Sequence, residues 1–360
     1  MVLGTTFSKP GVAVPRRYGN NWGVNLQPMQ LYINTYGTYV HIKDEMFEVR
    51  IKEKETQEVK KHHFAASKVK SIIMTTGAAL STDAIRLAIL HNVDIVFTEK
   101  DGQPLGRVWH SKLGSTTKIR KCQLEASLGQ TGVQWTKAWL LTKLENQRTF
   151  IQDLKKHRAQ EADYLNDKIA RLETLALSIS ALQAAQVADM ADTLRGLEGT
   201  AGRLYFETLS YVLTREYRFE GRSSRPAKDP FNAFLNYAFG ILYSKIEKAL
   251  IIAGLDPYLG FLHRDDYNQL SFVYDFIEPY RIYAETVVFR LFSGKKVNKT
   301  HTDLITNGCS LNSEGKALLV AAFNKYFDEE TIRYKGKNQT RSNAIQWDAH
   351  AFANSLIQKV

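Results

Sequence analysis

Trp135-Thr-Lys-Ala-Trp139-Leu140-Leu-Thr-Lys-Leu144, continued by Ile151 and Leu154, sets apolar residues three and four apart, the spacing of one helix face. The same texture holds from Lys118 to Ala188, through Tyr164, Ile169, Leu172 and Leu175, with few glycines and no proline. It begins abruptly after Gly114. Further helical segments are expected over 204–213, 233–252, 272–292, 311–326 and about 344–357, with Asp229-Pro230 and Asn312-Ser313-Glu314 as helix starts. Residues 118–360 therefore read as a large all-α domain.

Before the break the period changes. Leu31-Tyr32-Ile33, Tyr39-Val40-His41-Ile42 and Phe47-Glu48-Val49-Arg50-Ile51 are short β-branched or aromatic runs, parted by turns at Tyr36-Gly37 and Lys43-Asp44. Two more runs follow at 69–74 and 93–98. Ser81 or Thr82 caps a short helix with Ala84, Ile85, Ala88 and Ile89 on one face, and Asn92 suits a left-handed stop. Asp101-Gly102 reads as a hairpin turn leading to Gly106-Arg107-Val108-Trp109. The charged stretch 52–63 reads as a hairpin arm. The predicted class is α+β. A basic tail (1–28) precedes a small β-rich, sandwich-like domain with one helix (29–108), and a linker (109–117) leads to the helical domain.

Composition narrows the function. With 44% hydrophobic and 24% charged residues among 360, the chain is neither disordered, collagen-like nor a coiled-coil rod, and its length suits two cores. No apolar run approaches the ~18 residues of a membrane span, and no apolar block precedes a cleavage site, so neither membrane nor secretion is expected. Cys122 and Cys309 are too few for a disulfide scaffold or a four-thiolate zinc site, which suits a reducing cytoplasm. Forty-eight Lys and Arg against thirty-seven Asp and Glu leave +11, a balance that favours a polyanionic partner. The chain has no G-x-x-x-x-G-K-[ST] loop, since Gly315-Lys316-Ala317 has the wrong spacing and lacks the hydroxyl. No G-x-G-x-x-G opens a helix after a strand, and neither H-E-x-x-H nor C-x-x-C occurs.

Three stretches could carry chemistry. In Phe272-Val273-Tyr274-Asp275-Phe276-Ile277-Glu278-Pro279-Tyr280-Arg281, two acids three apart share a helix face among apolar neighbours, so something positive must sit between them. Pro279 removes the donor for the Asp275 carbonyl and bends the helix. The structural alternative is an ion pair to Arg281 or another arginine. Gly254-Leu-Asp256-Pro257-Tyr-Leu-Gly260-Phe-Leu-His263 ends a helix and delivers one histidine on a mostly apolar loop. Glu198 stands among small residues in Arg195-Gly-Leu-Glu198-Gly199-Thr-Ala201-Gly202, read as a helix start, where a mere capping role is the alternative. One histidine and two or three carboxylates without cysteine suit Mg²⁺ or Mn²⁺. Between them run Arg218, Arg222, Arg225 and Lys228 with Tyr217 and Phe219, a pattern fit for phosphates and exposed bases.

Taken in order, Glu198-Gly-x-Ala-Gly-x-x-Tyr-Phe, Arg222-x-x-Arg225-Pro226-x-x-Asp229-Pro230-x-Asn232, the Gly254–His263 stretch and Asp275-x-x-Glu278-Pro-x-Arg281 resemble the CRISPR-associated spacer integrase family. Gly315-Lys-Ala-Leu-Leu and Arg333-Tyr-Lys-Gly also fit it, and the likeness spans roughly 30–358. The resemblance implies a metal-dependent DNA endonuclease and integrase that inserts short DNA into a CRISPR array by 3′-hydroxyl attack. It implies a homodimer through the β-rich domain and a heterohexamer with a small second adaptation protein. It implies double-stranded DNA, both spacer precursor and repeat, as partner. Glu198, His263 and Glu278 would hold Mg²⁺ or Mn²⁺, with Asp275 a helper or alternative ligand in the same site and no organic cofactor. Glu278 is a longer ligand than the aspartate some members carry there. Arg218, Arg222, Arg225 and Lys228 would contact DNA. Two other readings stand beside it: a non-catalytic basic scaffold whose acids form internal ion pairs, and a helical diphosphate-processing enzyme. Asp265-Asp266-Tyr267-Asn268-Gln269 lacks the last acid of a diphosphate motif.

Overall fold

The computed structural model describes residues 29–52, 58–99, 102, 104–108, 116–263 and 269–357. The tail expected at 1–28, most of the linker, the tip of the 52–63 arm and residues 265–268 lie outside them.

The N-terminal half builds two four-stranded sheets around one small core. β1 (Met29–Ile33), β5 (Val69–Met74) and β7 (Asp94–Thr98) run parallel, and β8 (Pro104–Val108) closes the sheet antiparallel to β7. β2 (Tyr39–Lys43), β3 (Met46–Lys52) and β4 (Val59–Ala65) form an antiparallel meander, with short β6 (Ala79–Leu80) parallel to β2. Leu31, Val40, Phe47, Ile72 and Ile95 from both sheets meet in one buried cluster with Ala84 and Ala88 of α1 (Thr82–Leu90). Ser81 caps that helix, its hydroxyl accepting from the Ala84 N–H at 3.1 Å, and Asn92 takes φ 60°.

The C-terminal part is mostly helical around a second core. α2 (Thr116–Ser127), α3 (Gln130–Lys155) and α4 (Ala162–Ala181) divide the run read as one helical texture. α5 (Ala191–Val212) is longer than the segment expected at 204–213. α6 (Pro230–Ile252) starts at Asp229, which accepts from Asn232 N–H at 2.8 Å, and is buried along most of its length. It ends where Gly254 adopts φ +82°. The expected 272–292 helix is broken as proline demands. α7 (Ser271–Phe276) passes through a 3₁₀ turn at Glu278–Tyr280 into α8 (Arg281–Ser293). α9 (Ser313–Asn324), one π turn (Lys325–Glu329) and α10 (Arg341–Ile357) complete the helices.

The all-α expectation omitted two hairpins, β9 (Thr302–Ile305) with β10 (Gly308–Leu311) and β11 (Thr331–Tyr334) with β12 (Lys337–Thr340). Their four-residue strands are too short to show a period. Charged contacts join the halves: Arg107 to Glu247 at 2.9 Å, Lys248 to Asp94 at 3.4 Å, and Asp328 to Lys70 and Lys245. No described helix is long and apolar enough to cross a membrane.

Candidate active site

The loop that delivers His263 is fixed from below before it reaches the site. Gln123, fully buried on α2, donates to the Asp256 and Leu259 carbonyls at 3.0 and 3.2 Å and accepts from the Asp256 N–H at 2.8 Å. Phe261 packs on Trp139, Phe272 and Phe352, with ring centroids 5.4–6.1 Å apart. The three N–H groups at the loop's end then converge on one acceptor. Phe261 and Leu262 donate to Asp275 Oδ2 at 2.5 and 3.1 Å, and His263 donates to Oδ1 at 3.1 Å. His263 Nδ1 meets the same Oδ1 at 2.6 Å. A carboxylate only accepts, so Nδ1 carries a proton, and in the neutral ring Nε2 is then the acceptor. Burial pulls the His263 imidazolium down, but the Asp275 hydrogen bond and charge more than offset it and hold it above its ordinary value.

Glu278 is nearly fully buried on the 3₁₀ turn that Pro279 imposes, and the Asn146 amide on α3 donates to the Pro279 carbonyl at 2.8 Å. Arg281 Nε donates to Glu278 Oε1 at 2.7 Å, and Lys143 Nζ lies 2.6 Å from Oε2. Burial would raise this carboxyl; Arg281 and Lys143 override it and hold it at about 2. The same Lys143 ammonium donates to Glu198 Oε1, also at 2.6 Å. Glu198 therefore sits across one buried cation from Glu278, separated from it by no more than twice that distance. It is the eighth residue of α5, not at a helix start, so the capping alternative falls. Burial pulls the Lys143 ammonium down, and Glu278 and Glu198 raise it above its ordinary value. One turn beyond Arg281, the fully buried Glu285 is raised by burial to about 7, against the pull of Lys143 and Arg281.

Of the three expected metal ligands, Glu278 and Glu198 grip a common ammonium, and His263, tied to Asp275 three residues before Glu278, lies within reach of both acids' charges. Among the described residues no three His, Cys, Asp or Glu side chains are gathered as a ready-made metal cluster. The set nonetheless fits a hard divalent cation. A positive ion already lies between the two carboxylates, 2.6 Å from an oxygen of each. Asp275 is the exception in the acidic set, since both its oxygens already serve the loop and the imidazole ring. Its place is to orient His263.

Two cavities open beside this cluster. One, of about 1090 Å³, is lined by Lys143, Glu198, Arg203, Arg218, Arg281 and Glu285. The other, of about 890 Å³, is lined by Arg225, Tyr237, Tyr274 and Lys316, and the two share Arg222, Phe239 and Tyr243. Arg222 stacks over Phe239 at 5.5 Å and donates to Asn232 Oδ1 at 3.1 Å. Arg218 donates to the Leu213 and Tyr211 carbonyls. Lys228 is exposed and lines neither cavity.

Residues 31–325 match the family described as CRISPR associated protein Cas1. The chain belongs to this family. Among curated relatives, a CRISPR-associated endonuclease Cas1 of Archaeoglobus fulgidus is 31% identical over 88% of this chain and 93% of its own length. One from Saccharolobus solfataricus is 29% identical over 72% of this chain and 74% of its own. The fold is shared with a casposase bound to integration product (TM-score 0.76, 22% identity, 92% of this chain and 91% of that one). It is also shared with a Cas1 protein from Thermotoga maritima (TM-score 0.71, 20% identity, 91% and 97%). Within this family fold, sequence reasoning missed Lys143, Gln147 and Glu285. The signal for the first two was available: Lys143 and Gln147 fall four apart on the apolar face defined by Leu140, Leu144 and Ile151, and both are buried. A lysine kept inside such a stripe needs a buried anion.

Proposed function

We propose that the protein is a divalent-metal-dependent DNA endonuclease and strand-transfer integrase of CRISPR adaptation. The observation that carries this reading is that Glu198 and Glu278 share one buried cation beside a cleft lined by arginines, with the Asp275-oriented His263 close enough to feel both their charges. In the reaction, the 3′-hydroxyl oxygen of a short incoming DNA forms a bond to a target phosphorus while the bond to the target's own 3′ oxygen breaks. One ester replaces another, so no nucleotide triphosphate is consumed, in keeping with the missing phosphate loop. Held by Glu198, His263 Nε2 and Glu278, Mg²⁺ or Mn²⁺ would supply charge at the phosphate oxygens and favour an alkoxide. Asp275 keeps Nδ1 protonated so that Nε2 presents a lone pair. Arg281 fixes one Glu278 oxygen, leaving the other to the site. Arg218, Arg222 and Arg225 line the route a phosphate backbone would follow, with Lys228 on its outer flank. Water in place of the hydroxyl gives cutting from the same centre.

The partners of this reading are double-stranded DNA, a second copy of the chain, and a small second adaptation protein in a heterohexamer, acting in the cytoplasm. Solved relatives include a Cas6-RT-Cas1–Cas2 complex. The test is strand transfer of a short duplex into a supercoiled array plasmid with Mn²⁺ or Mg²⁺, wild type against His263→Ala. Loss of product in the variant and in excess EDTA, with DNA binding retained, is expected. Full activity under either condition refutes the metal role, whereas no strand transfer by wild type with either ion, with salt-sensitive DNA binding that EDTA leaves unchanged, favours the scaffold reading, in which the acids serve only as ion pairs.

A further inference from the structure

Lys143 is a charge without an assigned task. It leaves α3 between Leu140 and Leu144, is 7% exposed, and points its ammonium at two carboxylates that belong to different elements, Glu198 on α5 and Glu278 on the 3₁₀ turn. Both contacts are 2.6 Å. The contact to Glu278 Oε2 pairs the ammonium with a carboxylate whose other oxygen Arg281 already holds. Buried carboxylates without a counter-charge repel each other and lose hydration, so a metal-free site needs some cation between them. A divalent ion would sit ~2.0–2.6 Å from the same oxygens, nearly on the position of Nζ. Two cations cannot share that volume. The lysine stem is flexible, and the 1090 Å³ cavity it lines gives the ammonium somewhere to go.

We propose that Lys143 is a built-in counter-ion: it occupies the metal position in the metal-free protein, holds Glu198 and Glu278 in register, and is displaced into the cleft when a divalent cation enters. The inference rests on the reading that Glu198, His263 and Glu278 bind that cation. Its consequence is that metal affinity is set by a competition, since only the fraction of molecules with the ammonium displaced can accept the ion.

The test uses the full chain, stripped with EDTA and titrated with Mn²⁺ followed by electron paramagnetic resonance. A lysine that fills the site nine-tenths of the time weakens apparent affinity about tenfold, so Lys143→Met, similar in shape and uncharged, should bind Mn²⁺ at least about tenfold tighter than wild type. In EDTA the variant should melt below wild type, and saturating Mn²⁺ should close the gap. Because the variant could fail to fold, wild type is also footprinted by reductive methylation and mass spectrometry. Lys143 should be protected in EDTA and labelled several-fold faster with Mn²⁺. Equal or weaker Mn²⁺ binding by Lys143→Met, or protection of Lys143 that Mn²⁺ does not change, overturns the inference while the metal reading survives. No Mn²⁺ binding by wild type removes the metal reading, and the inference with it.

Discussion

Asp275 gives both of its oxygens to the His263 loop, three backbone N–H groups and one imidazole, and keeps nothing for a ligand. A residue placed this way acts through another. Asp275→Asn retains one carbonyl oxygen for the backbone donors but brings an amide to the ring and removes the charge that favours the Nδ1–H tautomer. We expect Mn²⁺ affinity to fall about 10–100-fold, the usual loss for an outer-shell partner of a ligating histidine. Circular dichroism should show the fold kept, and calorimetric Mn²⁺ titration reads the affinity; unchanged affinity would make Asp275 purely structural. At this scale Asp275 and Glu278 stood out in the sequence, because charged residues among aromatics ask for a partner, whereas Glu198 stood out only against small residues. Lys143 could be read there only as a lysine inside an apolar stripe that needs some buried anion; which acids lie opposite, only the folded chain shows.

The loop bearing Arg222 and Arg225 is tied to α6 through Asn232 and Asn236, and to β10 by one backbone rung. Cys309 N–H on β10 donates to the Ala227 carbonyl at 2.8 Å, and Gly308 makes that approach possible: a Cβ there would lie 2.2 Å from the Ala227 oxygen. Gly308→Ala must push the β9–β10 hairpin off the loop, at a cost of about 1–3 kcal/mol in urea unfolding. Fluorescence anisotropy should show weaker binding of a short duplex, while Mn²⁺ affinity stays at the wild-type value. Stability and DNA affinity both equal to wild type would separate the hairpin from the loop's position. Element boundaries followed local chemistry where a cap or proline marks them, as at Ser81, Asp229 and Pro279. The two hairpins escaped notice, since pairs of four-residue strands are fixed by the surfaces they pack on.

Across the whole molecule, the sheets and the helices meet through ions. Asp328 on the π turn pairs with Lys70 from β5, with Lys245 from α6 at 3.3 Å, and accepts from Gln30 Nε2 at 3.4 Å. Burial raises the Asp328 carboxyl, and Lys245 and Lys70 more than reverse it, leaving it below its ordinary 3.8; burial draws Lys245 down to about 8 despite Asp328. A carboxyl depressed in the folded state stabilises it fully above its unfolded value and loses that contribution as pH falls through the folded one. Melting temperature should therefore drop below about pH 3.8 more steeply in wild type than in Asp328→Asn. At neutral pH Asp328→Ala, which strands Lys245, should destabilise by about 3 kcal/mol, the low end for a broken buried pair because Lys70 is partly exposed. A flat pH profile in wild type would show the junction to be ornamental. Composition and period announced two cores; the partners that lock them lie 258 residues apart in the Lys70–Asp328 pair, beyond the reach of any local pattern.

All the groups assigned to the chemistry lie between Lys143 and Glu285, on the helical side of that seam. The sheets still reach the cleft, since Asn34, Thr75 and Thr76 line the second cavity, so a homologous β domain transplanted onto this chain would need counterparts of those three as well as of Lys70, Asp94 and Arg107.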